Sequence, residues 1–206
     1  ERSAGEISLA RGLAQSENVV ALRVARDVGL NQVVQMAERL GINSDLNPVP
    51  GLVLGQSEVN LLEITGAYTV FVNNGVKNRP HGLTRILDGG DCTDPDNYET
   101  CRVIYDYATD GGRDQSVFAP RLAQTMTQWL QGVVQQGTGR AASIGYGAAG
   151  KTGTTDDAVD LWFIGYVPRQ NLTTGVWLGN DQPSPTQGSS TQAAQLWGSY
   201  MRAVLP

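Results

Sequence analysis

Histidine is almost missing from this chain: of 206 residues one is His, His81, and two are Cys, Cys92 and Cys101. Protein zinc centres draw three or four ligands from His, Cys and carboxylates, so no metal centre is expected. No motif calls for a cofactor. A Ser-His-Asp triad would have to take its base from His81 alone, which sits in the loop-like Arg79-Pro80-His81-Gly82. Any hydroxyl chemistry therefore needs lysine to handle the proton. Lysine is scarce too, with Lys77 and Lys151 the only two among 15 basic residues. The formal net charge is -5 and no basic stripe is present, which argues against a nucleic-acid surface. Every apolar run is well short of a bilayer span, and Glu1-Arg2-Ser3-Ala4-Gly5-Glu6 is no secretion signal.

With 40% hydrophobic residues the chain can bury one sizeable core. Apolar spacing predicts helices over Ile7 to Gln15, Val19 to Val28 with Gly29 as a stop, and Asn31 to Leu40 before Gly41. After a connector from Asn43 to Gly55, Ser57 is expected to cap a helix running to about Val72. Leu83 to Leu87 and Val103 to Tyr107 read as arms of a β-excursion. A helix from Val117 to Gln136 follows, with Ser116 as cap and Leu122, Met126, Trp129, Leu130 and Val133 inward. Strands are expected at Ala149 to Thr155, Leu161 to Val167 and Thr174 to Gly179, then a closing helix from Thr191 to Leu205. Helices first and consecutive strands later predict an α+β domain, an antiparallel sheet flanked by helices.

Chemistry concentrates at Lys151-Thr152-Gly153-Thr154-Thr155. On a strand of small residues the Lys151 ammonium can attract a carboxylate, the Thr hydroxyls can hydrogen-bond it, and Gly153 lets a ligand backbone approach. That combination suits a peptide with a free carboxyl end. Gly145 to Thr152 also satisfies the G-x-x-x-x-G-K-[ST] spacing of a phosphate loop, but such a loop needs a strand before it and a helix after it. Neither flank reads that way, leaving a nucleotide-binding module as a remote alternative. Trp162, Phe163 and Trp177 read as core, and Asp156, Asp157 and Asp160 as a solvated turn. Cys92 and Cys101 bracket the turn-rich Thr93 to Thr100. They read as a disulfide, with two free thiols the alternative, and a disulfide points to an oxidising, extracytoplasmic compartment.

Five elements in order carry a resemblance: Ser16-Glu17-Asn18; Leu54-Gly55 ahead of Ala67-Tyr68 and Phe71-Val72-Asn73-Asn74-Gly75; Gly137-Thr138-Gly139-Arg140-Ala141-Ala142; the Lys151 motif; and Trp177-Leu178-Gly179-Asn180-Asp181. Together they resemble the transpeptidase domain of a class A, bifunctional penicillin-binding protein. The resemblance implies the penicillin-binding protein and serine β-lactamase fold. It also implies roles: the Ser16 hydroxyl relays a proton, the Asn18 amide grips the substrate peptide, and Lys151 tunes the relay. Thr152 and Thr154 hydroxyls bind the substrate carboxylate, with Gly153 and Thr155 completing the motif, and the Thr154 N–H is an oxyanion donor. Taken alone, Ser16 and Asn18 are read as helix caps. The implied partners are D-alanyl-D-alanine ends of peptidoglycan stem peptides and β-lactams, on the periplasmic face of a membrane-anchored parent. One departure stands out. The family nucleophile lies in a Ser-x-x-Lys motif, and no serine here has lysine three positions later. Residues 1–206 are therefore expected to be the C-terminal portion of one transpeptidase domain, incomplete at its N-terminal side and inactive without the upstream part. A D,D-carboxypeptidase or a serine β-lactamase is the alternative within the same fold.

Overall fold

Three short helices open the described chain. In α1, Leu9–Gln15, the Ser8 hydroxyl accepts from the Arg11 N–H at 3.3 Å, and the helix stops at Ser16, which takes up a left-handed conformation with φ of 57°. The next helix, α2, Asn18–Val28, starts two residues on, and Gly29 separates it from α3, Leu30–Leu40. These bounds follow the periodicity and the glycine stops. The computed structural model describes residues 5–111 and 115–206; residues 1–4, most of the opening segment read as no secretion signal, and residues 112–114 lie outside the described residues.

The connector contains a single 3-10 turn, Pro50–Leu54. Helix α4, Leu61–Val72, begins later than expected, because Asn60 and not Ser57 supplies the cap: its side chain accepts from the Glu63 N–H at 2.9 Å. The Ser44 hydroxyl in turn donates to the Glu63 carboxylate at 2.6 Å, fastening the connector to this helix. A two-residue strand β1, Val76–Lys77, follows. Next come β2, Arg85–Cys92, and β3, Cys101–Asp106, an antiparallel hairpin closed by the Cys92–Cys101 disulfide. A single turn α5, Tyr107–Asp110, leads to β4, Gln115–Ser116, which pairs with β1. Ser116 is thus a strand residue and not a helix cap. The long helix α6, Pro120–Gln136, begins instead at Pro120, whose missing N–H costs nothing in a first turn. Leu122, expected inward, is 46% exposed; Ala123, Leu130, Val133 and Val134 form the buried face.

The main sheet is β5, Ala149–Thr154, β6, Leu161–Val167, and β7, Leu172–Leu178, antiparallel in that order. Helix α7, Ser190–Val204, closes the chain. Because side chains alternate along a strand, β6 feeds two cores. Leu161, Phe163 and Val167 point to α7, where Trp197, Met201, Ala193 and Ala194 are fully buried. Tyr166 points the other way, to Leu130 and Val133 of α6. Its hydroxyl pairs with Thr127 at 2.8 Å, and burial pushes its pKa up to about 12. The sheet is therefore clamped between α7 on one face and α4 and α6 on the other, while β5 remains an edge strand.

Candidate active site

The open edge of β5 can be read from one hydrogen bond. Thr155 N–H donates to Asp160 O at 3.2 Å, so Thr155 directs its backbone towards the β6 side. Backbone direction alternates along an antiparallel strand, so Thr152 and Thr154 direct their N–H and C=O groups away from β6, to the unpaired edge. The Thr154 N–H is thus free of the ladder and faces the same way as the Thr152 carbonyl. Side chains alternate as well. Lys151 lies on the face of Ala149 and Tyr166, towards α1 and α6, whereas Thr152 lies on the face of Phe163.

Lys151 is half-buried, and its ammonium donates to Ser16 Oγ at 2.8 Å and to Thr152 O at 2.9 Å. Residues 135 positions apart meet here because the ends of α1 and α6 are locked together. Thr138 N–H donates to Ala14 O at 3.1 Å, and the Gln15 side chain donates to Gln136 O at 3.2 Å. Gly137 presses directly on Ala14 O, where any Cβ would collide with backbone. The left-handed bend at Ser16 then turns its hydroxyl out of the helix and into reach of Lys151. Burial pulls the Lys151 pKa down to about 8, because removing an ammonium from water favours its neutral form.

Ser16 ends α1 through its backbone while its hydroxyl goes to Lys151, and the N-cap position of α2 is Glu17, so, against expectation, neither Ser16 nor Asn18 caps a helix with its side chain. Asn18 is the first residue of α2, exposed, two residues beyond Ser16, and its side-chain amide makes no hydrogen bond among the described residues. Thr152 is 8% exposed, and its hydroxyl is 2.6 Å from that of Thr138. Gly153 lies beneath Trp162; a Cβ there would stand 3.2 Å from Trp162 Cβ, so the indole as well as any ligand calls for glycine at this position. Thr154 is exposed at the strand end. Thr155 is turned away from the edge: its hydroxyl donates to Asp160 Oδ2 at 3.2 Å and accepts from Asp160 N–H at 2.8 Å. The structure thus gathers Ser16, Lys151, Thr152 and Thr154 along one edge and leaves Thr155 behind it.

Two further residues shape the site. Thr138 belongs to the quoted Gly137-Thr138-Gly139 element, but its contact with Thr152 depends on how α6 ends. Asp160, read as part of a solvated turn, is instead a brace: besides holding Thr155 it accepts from Trp177 Nε1 at 2.8 Å, tying β5 to β7 across β6. Trp162 and Trp177 form a tilted pair at 6.2 Å, and Trp177 is 36% exposed, so only Phe163 of the three aromatics is full core. His81 stacks on Tyr107, apart from this group. Gly150, Lys151 and Thr152 are mid-strand with a turn after Thr154, which is not the strand-loop-helix setting of a phosphate loop. Among the described residues no cluster of metal-ligating side chains occurs, and no helix is long and apolar enough to cross a membrane.

The penicillin binding protein transpeptidase domain model matches residues 1–202. Penicillin-binding protein 1A of Rickettsia typhi is 35% identical over 195 residues, which is 87% of this chain and 24% of that protein. Penicillin-binding protein 1A of Aquifex aeolicus is 32% identical over 208 residues, 99% of this chain and 26% of that protein. The chain therefore spans about a quarter of the curated relatives it matches. Among solved structures, penicillin-binding protein 1A from Haemophilus influenzae superposes with a TM-score of 0.77 at 22% identity, covering 100% of this chain and 37% of that one. The D,D-transpeptidase domain of a peptidoglycan glycosyltransferase from Eggerthella lenta gives 0.69 at 21%, covering 100% and 56%. At these identities the structures speak for the fold, and the family model and the sequence relatives for kinship: the chain belongs to the penicillin-binding protein transpeptidase family.

Proposed function

We propose that this chain forms the substrate-orienting side of a serine D,D-transpeptidase site that cross-links peptidoglycan stem peptides and is acylated by β-lactams. The observation that carries the reading is the Lys151 ammonium held 2.8 Å from Ser16 Oγ beside the open edge of β5. A stem peptide ending in D-alanyl-D-alanine lies along that edge, its carboxylate drawn to Lys151 and the Thr152 and Thr154 hydroxyls. Its scissile carbonyl oxygen points at the Thr154 N–H, a kind of donor worth about 3–4 kcal/mol of barrier where it has been removed. The Asn18 amide holds the peptide from the α2 side.

The acylated serine comes from polypeptide outside these 206 residues, since no Ser-x-x-Lys occurs within them. Its oxygen bonds to the penultimate alanine carbonyl carbon, the C–N bond breaks, and the departing D-alanine amine takes its proton through Ser16. The ammonium at Ser16 Oγ leaves the Ser16 O–H free to donate. An acceptor amine then attacks the ester, forming a new C–N bond and releasing the serine. We place this chemistry outside the cytoplasm, in a parent anchored at the periplasmic face of the inner membrane.

Fluorescent penicillin tests the reading. The chain alone is expected to take no covalent label. Joined to a segment carrying Ser-x-x-Lys it is expected to be labelled, and Lys151→Ala in the joined form to lose most of that labelling. Covalent labelling of the chain alone would contradict the assignment of the nucleophile. Product analysis on stem peptides separates cross-linking from simple release of D-alanine, which would mark a carboxypeptidase.

A further inference from the structure

We propose that Trp162 and Trp177 form an apolar subsite beside β5 that selects a long apolar side chain on the residue preceding D-alanyl-D-alanine; the inference rests on the functional reading above. Residues paired across antiparallel strands share a face of the sheet, so Gly153, Trp162 and Trp177 make one row on the Lys151 face, next to the row Lys151, Ile164 and Gly175. Helix α4 covers that second row: a Cβ on Gly175 would run into Thr65 and Leu61. Leu61 is the first residue of α4, and the helix runs from there towards Tyr166, so the row of tryptophans lies beyond its end. Their exposure agrees, with Trp162 half-buried and Trp177 36% exposed.

The two rings are tilted by 48° with centroids 6.2 Å apart. Trp177 Nε1 donates to Asp160 Oδ1 at 2.8 Å, and Gly179 leaves room for the same indole, where a Cβ would collide with it. With its one polar atom spent on Asp160, the Trp177 ring presents only carbon to whatever lies over it. Gly153 clears the way to Trp162, because no side chain stands between that indole and the open edge of β5. A peptide paired to this edge lies two strand spacings, about 9–10 Å, from the β6 backbone. The indole spans part of that gap and a side chain of several carbons spans the rest, whereas glycine leaves it empty. With the terminal carboxylate at Lys151 and the scissile carbonyl at the Thr154 N–H, the ligand continues past Thr154, the end of β5 where this row stands. A side chain turned there to the Lys151 face takes its own apolar surface and that of the indoles out of water.

Nuclear magnetic resonance titration of this chain with acetyl-norleucyl-D-alanyl-D-alanine and with acetyl-glycyl-D-alanyl-D-alanine tests the assignment. The unsubstituted chain is expected to bind the norleucyl peptide about fivefold more tightly, the scale of an alkyl chain laid on an aromatic surface, with nuclear Overhauser contacts from the norleucine methyl to the Trp162 ring. In Trp162→Ala the ratio between the two peptides should fall to about one, while Trp162→Phe keeps part of it and Trp177→Leu lowers it less. If the unsubstituted chain binds both peptides alike, or Trp162→Ala keeps the full ratio, the inference fails and the functional reading stands. If Trp162→Ala and Trp162→Phe bind neither peptide, the indole holds the strand and not the ligand, and the inference fails as well. If the unsubstituted chain binds neither peptide, the functional reading itself fails and takes the inference with it.

Discussion

Lys151 sits where a lysine is costly, half-buried and with no carboxylate at bonding distance among the described residues. Its pKa of about 8, against an ordinary 10.5, means that the unfolded chain holds one more proton than the folded chain between those two values. Stability should therefore rise as pH climbs from 8 to 10.5 and be lowest below 8, where the ammonium is buried at full cost. Denaturant unfolding at stepped pH checks the slope, and Lys151→Met should flatten it. Proton-linked side-chain resonances of Lys151 should titrate near 8, which also places a fraction of neutral amine at physiological pH. Chemistry at this residue was legible in the sequence because a lone lysine among small residues and hydroxyls has few structural excuses. The contact with Ser16 was legible only by resemblance, as nothing local to either residue encodes a bond across 135 positions.

The element that decides the site is the turn from β5 to β6. Asp157 and Ala158 both take positive φ, 55° and 54°, a conformation that non-glycine residues resist. The turn is held regardless by Thr186, whose N–H donates to Ala158 O at 3.0 Å, and by the Asp160 brace on Thr155 and Trp177. Asp160→Ala removes two acceptors at once and should cost about 1–3 kcal/mol, with faster amide exchange at Thr154 and Thr155 and a changed Trp177 emission. Asp160→Asn keeps one carbonyl acceptor and should recover part of each effect. Sequence pattern described strand β6 residue for residue, since an unbroken apolar run between turn residues admits little else. It misplaced the starts of α4 and α6. Ser57 and Asn60 are both cap-type residues and only geometry chooses between them, whereas Ala119-Pro120 is itself a first-turn signal that marks the true start of α6. The pair β1 and β4, two residues each, is too short to show any period.

At the scale of the molecule, α7 is the prop behind the sheet. Trp197 is fully buried, stacks obliquely on Phe163 at 5.2 Å, and donates from Nε1 to Thr174 O at 3.1 Å. Trp197→Ala should cost about 3–5 kcal/mol by thermal or denaturant unfolding, through lost burial and the cavity left behind. Trp197→Phe should cost less, about 1–3 kcal/mol, with Thr174 O losing its partner. Fold class and the strand sequence of the sheet followed from helices preceding consecutive strands. What composition could not reveal is that β6 serves two cores, because both its faces are apolar and periodicity alone does not say which helix covers which.

The account turns on the open edge of β5 receiving a carboxyl-terminated peptide beside Lys151. Mapping the binding of acyl-D-alanyl-D-alanine onto this chain by nuclear magnetic resonance tests that directly. The expected result is a set of shifts centred on the Thr154 amide, the Lys151 side chain and Ser16, with Asn18 moving with them. Binding that leaves Lys151 and Thr154 unperturbed and moves resonances elsewhere, on α3 or the β2–β3 hairpin, would contradict it.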